Sequence, residues 1–129
     1  MIEVSREDLV KALKRYKGLA KQDLLASELT PNPIYWRTHA ETRRAEYNRL
    51  IDLIETSGIE KACVYAFKAY NLNTNEDENS GEYKGREQAI ELFFQIFGID
   101  PEKLRVARIK QKNYEEFSQQ YLVKMKEIV

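Results

Sequence analysis

The run Gly58-Ile59-Glu60-Lys61-Ala62-Cys63-Val64-Tyr65-Ala66-Phe67-Lys68-Ala69-Tyr70 restricts the possible folds of this chain more than any other stretch. At helical spacing Lys61 and Lys68 fall on one line, a heptad apart, and nearly all of the remaining surface is apolar. A helix with one thin polar stripe has to be enclosed by its neighbours, because its apolar faces gain free energy only by leaving water. Ala62, Ala66 and Ala69 form a row of small residues along which another helix can approach closely. The expected fold is all-α: a single compact bundle of about five helices, with residues 59–71 as a largely buried central helix. With only 5 Gly and 3 Pro in 129 residues, long helices are favoured over a sandwich of short strands. That length predicts one domain, 1–129, and suffices for a core without disulfides or metal.

The other helices are read from caps and periodicity. Ser5 precedes Arg6-Glu7-Asp8 as an N-cap, and Leu9, Leu13, Tyr16, Ala20 and Leu24 recur at helical spacing, predicting a helix over 6–28 loosened at Gly18. Thr30-Pro31-Asn32-Pro33 stops it. Thr38-His39-Ala40-Glu41 has the spacing of a capping box, and Ala40, Tyr47, Leu50, Ile51 and Ile54 form the inward stripe of the helix that follows. Between these helices Ile34, Tyr35 and Trp36 make an apolar plug, in which Trp36 either closes one end of the core or anchors a partner. Ser57 to Glu60 repeats the cap spacing, so the central helix follows almost without a loop. The polar, acidic run from Asn71 to Glu82 reads as a solvated connector. A helix rich in phenylalanine then ends near Gly98, and Asp100-Pro101-Glu102 starts a long C-terminal helix expected to run to near the end. Its second half carries Tyr114, Phe117, Tyr121, Met125 and Ile128 as one stripe. In its first half Val106 and Ile109 point away from Leu104 and Ala107, so this helix is expected to touch two bodies, one of them a possible second subunit.

Charge and motif content restrict the function classes. Lys plus Arg equals Asp plus Glu at 21 each, which removes any global attraction to nucleic acid or anionic membrane and requires a local patch for either. One cysteine excludes an internal disulfide framework and fits the reducing cytoplasm. The chain shows no signal-peptide pattern and no apolar run long enough to span a membrane. Its Lys, Glu, Asn, Ile and Tyr usage resembles that of proteins of AT-rich bacteria and their phages. The chain contains no phosphate-cradling Gly-rich loop, no metalloprotease helix motif and no nucleophile elbow, so no catalytic residue, metal ligand or cofactor is assigned. Cys63 reads as a buried thiol rather than a nucleophile paired with His39, the only histidine.

Three sets of residues remain as site candidates. Arg43 falls on the apolar stripe of its helix, with Arg44 on the other border and His39 one turn earlier. An arginine there must snorkel, pair with a carboxylate, or line an anion-binding pocket. Lys84 and Arg86 flank Gly85 where a helix N-terminus is expected, a second possible anion site. Arg105, Arg108 and Lys112 form one basic stripe of the last helix, and Lys103 and Lys110 another, open to phosphates, to the acidic connector or to solvent. The leading functional reading is a non-enzymatic interaction or regulatory protein. It would bind a protein partner or self-associate as a homo-oligomer, through Trp36 and the helix face bearing Arg105, Val106, Arg108, Ile109 and Lys112. A small anionic-ligand or nucleotide binder using His39, Arg43, Arg44, Lys84 or Arg86 comes second, level with nucleic-acid binding through the basic stripes.

Overall fold

The computed structural model describes residues 3–73, 77–122 and 126–128. Among them the order is a short strand β1 (Glu3–Ser5), α1 (Arg6–Ala26), a 3-10 turn (Ser27–Leu29), α2 (Pro33–Ser57), α3 (Ile59–Leu72), α4 (Gly81–Gln95), α5 (Pro101–Ile109), α6 (Tyr114–Tyr121) and a short strand β2 (Lys126–Ile128). The all-α class holds. The one non-helical pairing is a parallel β1–β2 ribbon that aligns Glu3 with Lys126, Val4 with Glu127 and Ser5 with Ile128.

Local chemistry explains most helix ends. The Ser5 hydroxyl accepts from the Asp8 N–H and starts α1, as its sequence implies. Asn32, not Thr38, caps α2: its side chain accepts from Tyr35 N–H with Pro33 in the first turn, so the Thr38-His39-Ala40-Glu41 spacing lies inside a helix already under way. Gly18 does not loosen α1, which runs unbroken through it. Gly58, at φ 98°, ends α2 and starts α3 without the expected Ser57 side-chain cap. Ser80 caps α4, about one turn before the N-terminus expected around Lys84-Gly85-Arg86. The expected long C-terminal helix is two helices. Gln111 takes a left-handed φ of 54°, and Asn113 then starts α6 through a complete capping box with Glu116. That break lets α6 turn back and lay Phe117 on Phe67 (4.8 Å between centroids) and Phe94 (5.5 Å). Thr74, Asn75 and Glu76 of the acidic connector, and the side chains of Met125 and Ile128, lie outside the described residues.

α3 is enclosed as its pattern requires. Ile59, Ala62, Cys63, Ala66, Phe67 and Tyr70 are buried, while Lys61 and Lys68 face water. α1 and α4 both pack along α2, so α2, and not α3 as expected, forms the central spine of the bundle. A pair of glycines lets α4 come close. A Cβ on Gly85 would lie 2.6 Å from the His39 carbonyl oxygen, and one on Gly81 would run into that of Tyr35. Only hydrogen fits between these backbones, so Gly81 and Gly85, one turn apart, are the contact face of α4 against the first turns of α2.

Two substitutions separate this contact from ordinary helix propensity. Gly85→Ala should lower stability by about 1–3 kcal/mol, because backbone blocks the new methyl. Gly18→Ala, with nothing within 4 Å of its added methyl, should raise it by about 0.5–1 kcal/mol. Urea denaturation midpoints of the two variants check both signs.

Candidate functional site

α1 and α4 flank α2, and the groove between them is floored by α2. Each helix supplies side chains one turn or so apart: Tyr16, Leu19 and Asp23 from α1, Arg43 and Tyr47 from α2, Gln88 and Leu92 from α4. The groove holds about 340 Å³. At its floor the Arg43 side chain is 8% exposed and donates from Nη2 to Asp23 Oδ2 at 2.6 Å. Asp23 is 58% exposed. The Arg43 Nε–H is buried and has no partner among the described residues. A guanidinium carries five N–H donors, and Asp23 receives one of them. The Tyr16 and Tyr47 rings lie 5.7 Å apart in the wall, and burial pushes the Tyr47 phenol up to about 12.

The internal ion pair expected for Arg43 is present, but its carboxylate is solvated rather than buried. Asp23 continues the α1 stripe one heptad after Tyr16, and that spacing is the sequence signal that would have located it. His39 sits one turn before Arg43, 6% exposed, with Nδ1 buried and unpartnered among the described residues. Burial first, and then the Arg43 charge, lowers its pKa to about 4 against a smaller opposing pull from Asp23, so the imidazole is neutral at pH 7. Arg44 Nε is also buried without a partner among the described residues, but Arg44 is not in the groove wall.

Lys84, Gly85 and Arg86 do not stand at the helix N-terminus that the expected anion site requires. These residues lie within α4, one turn past its start, with Gly85 pressed on α2. Arg86 is already occupied: Nε donates to Glu46 Oε1 (3.2 Å), Nη1 to Asn73 Oδ1 (3.1 Å) and Nη2 to Glu82 Oε1 (3.1 Å). Tyr65 OH donates to the other Glu46 oxygen at 2.8 Å. Glu46 is a buried carboxylate that the apolar stripe of α2 does not reveal. It lies just off the apolar line of α2, and its partners come from α3 and α4.

The basic stripe of α5 is likewise engaged within the chain. Arg108 Nη2 donates to Glu87 (3.1 Å) and its guanidinium lies 4.2 Å from the centre of the Tyr70 ring, a charge–quadrupole contact. Arg105 pairs with Glu91 (3.5 Å) and Glu102 (3.3 Å), and Tyr70 OH donates to Glu91 at 2.8 Å. Lys112 donates to Gln120. Among the described residues the partners of the two arginines are carboxylates of α4 and α5. Val106 and Ile109 do face outward, opposite buried Leu104 and Ala107.

Trp36 does not close the core. It is 42% exposed on the first turn of α2, edge-on to Tyr35 (4.9 Å) and 5.2 Å from His39. Leu25, Leu29 and Ile34 lie exposed around the same α1–α2 corner. Cys63 is fully buried, and burial raises its thiol pKa, so it is poorly placed as a nucleophile. Among the described residues no group of three or more His, Cys, Asp or Glu is arranged to hold a metal ion, and no helix is long and apolar enough to cross a membrane. Comparison of the chain with protein families, with curated proteins and with solved structures finds no match.

Two tests follow from the Arg43 environment. Arg43→Met strands no buried charge and should change stability by less than about 1 kcal/mol. Asp23→Ala leaves the buried guanidinium without its carboxylate and should cost more, on the order of 3 kcal/mol. Equal losses in thermal or urea melts would contradict this asymmetry. His39, with its pKa lowered in the fold, binds a proton more weakly than in the unfolded chain. Its contribution to stability is complete above pH 6.5 and is lost as the pH falls towards 4, with a slope of at most about 1.4 kcal/mol per pH unit. Denaturation at several pH values should show that slope in the wild type and its loss in His39→Gln.

Proposed function

We propose that this protein is a non-enzymatic interaction module that binds a protein partner through the apolar corner between α1 and α2. The observation that supports this reading is the exposure of four large apolar side chains, Leu25, Leu29, Ile34 and Trp36, around one turn of a chain whose other apolar residues are mostly buried. Water penalises such a cluster, and a partner surface that covers it recovers that free energy. Trp36 is the natural anchor: a large, rigid ring, already braced by Tyr35 and His39, loses little entropy on burial. Val106 and Ile109 on α5 form a smaller exposed pair suited to self-association. The occupied state of Arg86, Arg105 and Arg108 weighs against nucleic-acid binding, because cations held in carboxylate pairs are poor phosphate contacts.

The test uses the single tryptophan as its reporter. A partner captured from lysate of the source organism by wild-type protein should shift Trp36 emission to shorter wavelength on titration. It should be lost from a Leu29→Glu/Ile34→Glu variant of unchanged melting temperature. Trp36→Ala should weaken the complex about 30-fold, the effect of removing a contact of about 2 kcal/mol. Capture undiminished in the double variant would refute the assignment of the corner. Concentration-dependent sizing of Val106→Lys/Ile109→Lys against wild type tests self-association in the same way.

A further inference from the structure

The groove over Arg43 carries a separate reading. Arg43 and Asp23 bring one positive and one negative charge to it, so the site as a whole is neutral but strongly polarised. A simple anion placed on Arg43 would meet Asp23 as a like charge, and a simple cation on Asp23 would meet Arg43. A ligand with both charges a few ångströms apart satisfies both residues. Asp23, more than half exposed, has a second carboxylate oxygen to accept from an ammonium, and Arg43 has donors beyond the one that Asp23 receives. The Arg43 Nε–H is buried without a partner among the described residues, as are Arg44 Nε and Arg108 Nη1 outside the groove; what distinguishes Arg43 is its place on the groove floor beside a half-exposed carboxylate. Between and beside the charges the wall is Tyr16, Leu19, Tyr47 and Leu92, with Gln88 as a neutral polar group. A volume of about 340 Å³ is at the small end for ligand sites and suits one small molecule.

We propose that the groove between α1, α2 and α4 binds a zwitterionic ligand of the α-amino-acid class with an apolar or aromatic side chain. Its carboxylate lies on Arg43, its ammonium on Asp23, and its side chain between Leu19, Leu92 and the tyrosine rings. The site does not depend on the α1–α2 corner: Leu29→Glu/Ile34→Glu should leave ligand binding unchanged whatever it does to partner capture.

Isothermal titration of the full chain with L-leucine and L-phenylalanine tests the proposal, with N-acetyl-L-phenylalanine and L-phenylalaninamide each lacking one charge. The expected result is saturable one-to-one binding of at least one free amino acid. Removing either ligand charge should weaken it about 10-fold or more, as should Arg43→Met or Asp23→Asn. Leu19→Trp, at an exposed lip of the groove, narrows the side-chain space and leaves both charged residues in place. It should abolish binding while retaining the wild-type melting temperature, which keeps the test valid if a charge variant is unstable. Three outcomes would overturn the proposal: no saturation by either amino acid at about 10 mM, equal affinity for the N-acetylated or amidated probe, or binding that survives Leu19→Trp.

Discussion

The glycine contact between α4 and α2 is the constraint on which the other features of the bundle depend. With Gly81 and Gly85 pressed on the Tyr35 and His39 carbonyls, α4 lies closer to α2 than side chains would permit. That approach sets the height of every later residue of α4. It brings Arg86 within reach of Glu46, and directs Glu87 and Glu91 away from α2 towards α5. It also places Gln88 and Leu92 along one wall of the groove opposite α1. A methyl group at either glycine would displace these together, because a packed interior passes a shift on to its neighbours instead of absorbing it.

A chain of half-buried polar contacts then ties the outer helices to this pair. Tyr65, Glu46, Arg86, Asn73 and Glu82 join α2, α3 and α4, and Tyr70, Glu91, Glu87, Arg105 and Arg108 join α3, α4 and α5. Exposed pairs of this kind contribute little, but contacts removed from solvent and sharing partners order one another, so the entropy of fixing each side chain is spread over several bonds. The network takes up Arg86, Arg105 and Arg108 from among the basic residues that looked like a surface for phosphates. Against it Arg43 stands out: a guanidinium as deeply buried as any in the chain, held to a solvated carboxylate and facing a groove.

The patterning of apolar residues was enough to read the enclosed α3 with its lysine stripe, the inward stripe of α2 with Arg43 on it, the Ser5 and Asp100 caps and the outward pair Val106 and Ile109. Each of these depends on periodicity or on groups within a few residues, and such short-range physics is written in the chain itself. Arg43 was therefore legible as a site candidate, while Asp23, Tyr16, Gln88 and Leu92 were not. Tyr16 and Asp23 share one face of α1, and Gln88 and Leu92 one face of α4, but nothing local links the two pairs to each other or to Arg43, and they meet only because α1 and α4 both lie along α2. The C-terminal helix was misjudged for a related reason. The apolar stripe of α6 continues in helical register across Gln111, and it is the gain from laying Phe117 on Phe67 and Phe94 that favours the left-handed turn there.

Lys84-Gly85-Arg86 shows the boundary between the two kinds of information. By sequence alone a glycine between two cations, shortly before an apolar helix, has the makings of an anion site. Ser80 begins the helix earlier, Gly85 becomes a contact surface, and the Arg86 charge is neutralised by Glu46, forty positions away. The sequence by itself determined which faces had to leave water and where several helices begin, because those depend on hydrophobic spacing and on nearby hydrogen-bonding groups. Tertiary structure alone decided which charges meet each other and which are left facing a cavity. Electrostatic partnership depends on distances of a few ångströms through space, and separation along the chain does not encode them.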